Sequence, residues 1–162
     1  ESLRDLPLTW HFIGQLQANK TRDVAVHFDW VHTIDRERIA TRLDAQRPQH
    51  APPLQVLLQV RLAAEPGKGR VDPRDLPGLA AAVATLPRLR LRGLMCIPPP
   101  AVDFELQCVP FRRLRELLAE LNAAGHGLDT LSMGMSDDLE AAVAEGATLV
   151  RVGTALFGRR PG

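Results

Sequence analysis

Short apolar runs and longer stretches of helical spacing take turns along this chain. Residues 10–14 make the first strand-like run, and residues 19–28 a short helical stretch. A second strand is predicted over 30–34. Asp35 then stands where a helix N-cap belongs, opening a helix over 36–46 that Pro48 ends. Residues 54–62 are mostly apolar, as expected of a strand covered on both faces. The Gly/Pro-rich loop Glu65-Pro66-Gly67-Lys68-Gly69 leads to an alanine-rich helix over 75–86. A fourth strand over 89–97 stops at Pro98-Pro99-Pro100, which cannot continue a ladder. In the helix over 104–124, Phe111, Leu114, Leu117, Leu118 and Leu121 share one stripe; Arg112, Arg113 and Arg115 fall mainly outside it and read as a solvated face. A strand over 128–133, a short helix over 136–145 and a sixth strand over 148–152 complete the series.

Six strand-then-helix units in 162 residues give about 27 residues each. Such alternation implies parallel strands joined by right-handed crossovers. Two architectures fit, an open doubly wound sheet and part of a (β/α)8 barrel of the TIM type. A complete barrel takes about 250 residues, with about 200 as a floor, and two further units would bring this chain to about 216. The arithmetic and a first residue that is Glu1 rather than Met favour a single barrel domain over residues 1–162 that lacks about its first two units.

The ends of the last two strands hold the candidate chemistry. Ser132-Met133-Gly134-Met135-Ser136 follows the fifth strand, and Arg151-Val152-Gly153-Thr154 closes the sixth. Glycine lets backbone N–H groups approach a ligand, and hydroxyls add donors. In barrels, phosphate often sits in the loops after strands seven and eight, where these segments would fall. Asp137 and Asp138 suit the start of the helix predicted at Ser136 but would repel a phosphate there, so Ser136 is either an N-cap or a ligand group. Gly153 serves either a tight turn or a close approach. An inward Arg151 needs an acceptor, because an unpaired buried charge is expensive, and that acceptor is a barrel carboxylate or a ligand. His11 lies at the ligand-facing end of its strand, as a core residue or a site residue.

Charge and composition narrow the classes. Twenty basic residues against nineteen acidic ones remove the case for a dedicated nucleic-acid binder. The sequence has no apolar run long enough for a membrane span. Two cysteines, Cys96 and Cys108, make no disulfide framework, and a cytoplasmic location is the expectation. Neither they nor His27, His32, His50 and His126 show metal-ligand spacing, so no metal is expected.

Four segments together resemble one family. Trp10-His11-Phe12-Ile13-Gly14-Gln15-Leu16-Gln17-Ala18-Asn19-Lys20 is similar to the W-H-F-I-G-x-L-Q-x-N-K signature of the pyridoxal phosphate homeostasis proteins, and Arg92-Gly93-Leu94-Met95-Cys96-Ile97-Pro98 to their R-G-L-M-x-I-P. The segments 131–138 and 150–158 complete the series in the family's order. The resemblance implies a fold-type III barrel like the N-terminal domain of alanine racemase. It also implies a pyridoxal 5′-phosphate binder without turnover, acting in vitamin B6 and amino-acid balance, with no catalytic residues. The implied cofactor-binding set is Ser132, Met133, Ser136, Arg151, Gly153, Thr154 and His11. Within it Ser132, Gly153 and Thr154 would hold the phosphate, and Arg151 would face the ring nitrogen. An arginine there weakens the ring as an electron sink, which suits a carrier. Implied partners are pyridoxal-phosphate-dependent apoenzymes, with a monomeric parent.

The sequence departs from the family in places. The family's Schiff-base lysine, in an A-V-S-K-like segment, and its F-G-E-N motif are not in this sequence, whose two lysines are Lys20 and Lys68. Arg61 stands where the family has a small polar residue, and Gly67-Lys68-Gly69 varies its S-K-x-G loop. The expectation is weak, non-covalent cofactor binding and open sheet edges that lower stability. Two other readings remain: a racemase-like enzyme, and an interaction module that binds no cofactor.

Overall fold

The computed structural model describes residues 6–62 and 69–158. Its strands are β1 (His11–Phe12), β2 (Trp30–Ile34), β3 (Leu54–Gln59), β4 (Leu89–Met95) and β5 (Thr130–Ser132). Between and after them come α1 (Thr21–His27), α2 (Glu37–Gln46), α3 (Leu76–Ala84), α4 (Phe104–Ala123), α5 (Leu139–Ala144) and α6 (Thr154–Phe157). All neighbouring strands are parallel, and their order across the sheet is their order in the chain. A doubly wound sheet reverses direction at a switch point; this one never does, so every right-handed crossover lays its helix on the same face. The result is the arc of a β/α barrel. No helix among the described residues is long and apolar enough to cross a membrane.

Strand alternation sorts the residues into two layers. Leu54, Val56, Leu58 and Val60 join the large core beneath the helices, with Ile39, Leu43, Leu76, Val83, Phe111 and Leu114 from the other side. Leu57 is equally buried yet lies outside that cluster, as do Met95, His32 and Ser132, which belong to the concave face. The α4 stripe lies as expected, with Phe111, Leu114, Leu117 and Leu121 buried and Leu118 partly so. Asp103 caps that helix by accepting from the Leu106 amide at 3.0 Å.

Three local expectations fail for physical reasons. Helix α2 opens after Arg36, whose φ of −161° is extended, and Asp35 pairs with the Arg36 guanidinium instead of capping. The sixth strand shrinks to one bridge between Ser132 and Leu149. Its segment still runs beside β5, with Met133 donating to the Leu149 carbonyl and Arg151 to that of Gly134. No strand pairs with its other side among the described residues, and a ladder supported on one side only is irregular. The arginines of α4 divide: Arg113 meets Glu116 and Glu120 at the surface, whereas Arg112 and Arg115 both grip the carboxylate of Glu145, 8% exposed, and tie α4 to the end of α5. Arg61 pairs with Asp72 away from the concave face, and Lys68 lies outside the described residues.

Gly93 sets the closest approach in the sheet. A Cβ there would fall 1.8 Å from the Thr130 carbonyl oxygen, which is backbone and cannot rotate away. Gly93→Ala should therefore destabilise the chain by about 3 kcal/mol, the upper range for overpacking. Urea denaturation of the two proteins at equal concentration checks this; an unchanged midpoint would contradict the packing described.

Candidate cofactor cleft

The concave face opens into a cleft of about 900 Å³ beyond the ends of β4 and β5. His11, His32, Ile97, Arg151, Gly153 and Thr154 are among its lining residues, and no carboxylate of the described residues is. Of the expected site residues, the fold thus brings His11, Arg151, Gly153 and Thr154 to one cavity.

Arg151 is the buried centre, 9% exposed. Its Nη1 donates to Ser132 Oγ at 2.8 Å and its Nη2 to the Cys96 carbonyl at 2.9 Å. Neither acceptor is charged, and Arg151 has no ion-pair partner among the described residues. None of the described residues supplies the barrel carboxylate considered as its partner, and Asp138 acts on it only through space. Parallel pairing delivers both acceptors, since β4 and β5 end side by side and the Cys96 amide donates to the Ser132 carbonyl at 3.2 Å.

Ser132 lies behind Arg151, fully buried, and does not line the cleft. Its side chain holds the arginine from beneath. Met133 points the other way, into the core under the helices, because it follows Ser132 on the strand and alternation reverses its face. Ser136 sits half-buried in the turn before α5 and is not the N-cap. That helix starts after Asp138, whose carboxylate accepts from the Met135 amide at 2.6 Å. Lys20 is exposed at the start of α1, away from the lining.

Gly153 has φ −121°, which any residue adopts, and a Cβ added there would meet nothing within 4 Å. Its φ is not left-handed, and packing demands no glycine. A side chain there would project into open space at the cleft. The amides of Gly153, Thr154 and Ala155 donate to no backbone carbonyl among the described residues.

Sequence reasoning missed His32. It is fully buried, with Nδ1 2.8 Å from Ser132 Oγ and Nε2 2.8 Å from His11 Nδ1. The signal was present in alternation: Val31 belongs to the helix-side core, so His32 must face the cleft. The His11 ring stacks on Trp30 at 5.3 Å and 10°, and Trp30 carries the Arg92 guanidinium at 5.0 Å from its ring centre. Arg92 is itself held by Asp129 through two hydrogen bonds.

Burial and the charges of His11 and Arg151 pull the His32 pKa down to about 3. Burial also lowers His11, against an opposing pull from Asp29, and pushes the Cys96 thiol up to about 12. His32 is therefore neutral in the folded chain, while the unfolded chain protonates it near 6.5. The unfolded state binds the extra proton between those values, so His32 contributes stability that is present above pH 6.5 and lost as pH falls toward 3. The melting temperature should drop on acidification from pH 7.5 to 4.5, and drop less in His32→Gln. Equal slopes in the two proteins would show that His32 carries no such load.

The sequence profile of the family described as "Alanine racemase, N-terminal domain" matches residues 4–161. A pyridoxal phosphate homeostasis protein of Pseudomonas aeruginosa is 62% identical over 158 residues, covering 98% of this chain and 67% of that protein. One of Escherichia coli is 56% identical over 153 residues, covering 94% and 65%. The chain thus spans about two thirds of the length of the curated relatives it matches. Among solved structures, PipY of Synechococcus elongatus with PLP bound superposes with a TM-score of 0.88 at 42% identity, covering 97% of this chain and 74% of that one. An alanine racemase of Clostridium difficile, in complex with cycloserine, shares the fold at a TM-score of 0.79 and 14% identity, covering 98% and 43%. With its profile match running almost end to end and its high identity to these relatives, the chain belongs to the alanine racemase N-terminal-domain family, among the pyridoxal phosphate homeostasis proteins.

Proposed function

We propose that this chain binds pyridoxal 5′-phosphate non-covalently in the cleft and serves as a carrier in vitamin B6 homeostasis, exchanging it with pyridoxal-phosphate-dependent apoenzymes. The observation that carries the reading is Arg151, a desolvated guanidinium whose bonded partners among the described residues are neutral and which faces a cleft where no described carboxylate lies. A buried cation of that kind is costly unless an anionic or acceptor ligand completes it. Three of the five guanidinium N–H groups are left after the two bonds described.

The residues fit the cofactor in distinct ways. Arg151 donates and cannot accept, so it would hold the ring nitrogen without supplying a proton that stays there. Gly153 and Thr154 offer backbone amides, and Thr154 a hydroxyl, to the phosphate. Ser132 acts by holding Arg151. When bound, the cofactor supplies an aldehyde and an electron-accepting ring. Among the described lining residues both His32 nitrogens and His11 Nδ1 are engaged, which leaves His11 Nε2 as the one ring nitrogen open to the ligand, where racemisation needs two proton-transfer groups. That inventory supports a carrier over a racemase-like enzyme.

Titrating the chain with pyridoxal 5′-phosphate and following its absorbance tests the reading. Arg151→Met should weaken binding by about ten- to a hundredfold, the loss of a charged hydrogen bond worth about 1.5–3 kcal/mol. Thr154→Val should weaken it less. After borohydride treatment and denaturation, the chain should keep its unmodified mass. An adduct on Lys20 or Lys68 would overturn the non-covalent reading, and binding unaffected by Arg151→Met would overturn the assignment of the cleft.

A further inference from the structure

Arg151, Ser132, His32 and His11 stand in a row joined by three contacts of 2.8 Å each. The order in which hydrogens fill this row is fixed at one end. A guanidinium only donates, so Ser132 Oγ must accept from Arg151. Among the described residues its own hydroxyl hydrogen then has one partner to go to, His32 Nδ1. A neutral His32 accepting at Nδ1 carries its proton on Nε2 and donates to His11 Nδ1. His11 in turn carries its proton on Nε2, for which the described residues provide no acceptor. In the opposite direction Ser132 would accept twice, leaving its hydroxyl hydrogen buried without a partner, at a cost of about 1–3 kcal/mol.

We propose that His32 is a positioning residue that gives this row a single direction, fixing the guanidinium of Arg151 at one end and presenting His11 at the other as a neutral Nε2–H donor to an acceptor oxygen of the bound ligand. The inference rests on the proposed cofactor reading for the ligand's identity, though not for the direction of the row. It assigns His11 a role as donor, where an unrestrained imidazole would serve equally as donor, acceptor or acid. A second clamp acts on the same ring: Trp30 stacks on it, backed by Arg92 and Asp129.

The charged groups around His11 agree with a neutral ring. Asp29, just before β2, favours the cation, and burial opposes it and dominates. On β2, His32 is held neutral by burial first, with the Arg151 charge beyond it acting in the same direction. Arg92 from β4 reaches the site only through Trp30 and is neutralised by Asp129 before β5; Asp138 acts on Arg151 at the far end. Protonating His11 would place a hydrogen on Nδ1, directly against the Nε2–H of His32. The row would have to break or reverse.

Nitrogen-15 spectra of the ligand-free chain labelled at its histidines decide the direction. Both His11 and His32 should appear at pH 7 as neutral Nε2–H tautomers, with His32 staying neutral as pH is lowered to 4.5. Ser132→Ala removes the hydroxyl that imposes the direction, so His32 becomes free to accept from His11, and the His11 midpoint should rise toward 6.5, its ordinary value. An Nδ1–H tautomer or a cation at either residue at pH 7, or a midpoint unmoved by Ser132→Ala, overturns the proposal. Pyridoxal 5′-phosphate titrations supply the second arm. Binding should weaken about tenfold in His32→Leu and recover at least partly in His32→Gln, whose amide can both accept and donate. Equal affinity in those two variants would also overturn it. If the unaltered chain binds no pyridoxal 5′-phosphate, the proposed function fails, and the spectra still decide the row.

Discussion

Everything in the cleft depends on keeping one guanidinium charge out of water. A buried cation loses several kcal/mol of hydration, and neutral partners return only part of it. Arg151 is therefore tolerated because the sheet delivers acceptors to two of its nitrogens at 2.8 and 2.9 Å. Those acceptors sit on different strands, one on β5 and one just past β4, so the arginine's position is a consequence of register. The same close approach of β4 and β5 requires Gly93, where no side chain fits against the Thr130 carbonyl. Pairing, glycine and arginine are one constraint seen at three depths.

A second consequence concerns the edges. Strand β1 is only two residues long, and the segment at Leu149 holds one bridge, so neither border offers a long flat row of unpaired groups to another chain. The borders are instead anchored by side chains. His11 joins β1 to β2 through His32 and Trp30, and Arg151 joins the far segment to β4 and β5. The polar residues of the cleft thus do structural service in an arc that hydrogen-bonded ladders alone leave loose at both sides.

Much of this was legible in the sequence. The apolar stripe of α4 and the alternation of strand and helix are local, periodic signals, and they carried the order of elements. Of the two motifs singled out, residues 150–154 line the cleft, whereas 131–138 contributes only Met135 to the lining. What the sequence hid is what depends on neighbours. A strand at 148–152 needs pairing on both sides to be regular. Ser132 reads as a ligand hydroxyl until Arg151 is seen to cover it. Arg112 and Arg115 read as solvated until Glu145, thirty or more residues on, turns out to lie under them. His32 was passed over because a histidine inside an apolar strand has no motif, although alternation already assigned it a face.

The choice of neutral partners for Arg151 decides what the cleft can hold. A carboxylate would have satisfied the guanidinium and cancelled its charge, leaving little field for a ligand. A hydroxyl and a carbonyl satisfy its geometry while leaving the charge in place. That charge also acts inward: together with burial it keeps His32 neutral, so the site never stacks two cations in the same desolvated space. In return, neutral His32 keeps Nδ1 open to accept from Ser132, and Ser132 can then accept from Arg151. The single charge and the direction of the hydrogen bonds sustain each other. Among the described residues, what faces the cleft is a fixed cation and a set of donors with no competing anion.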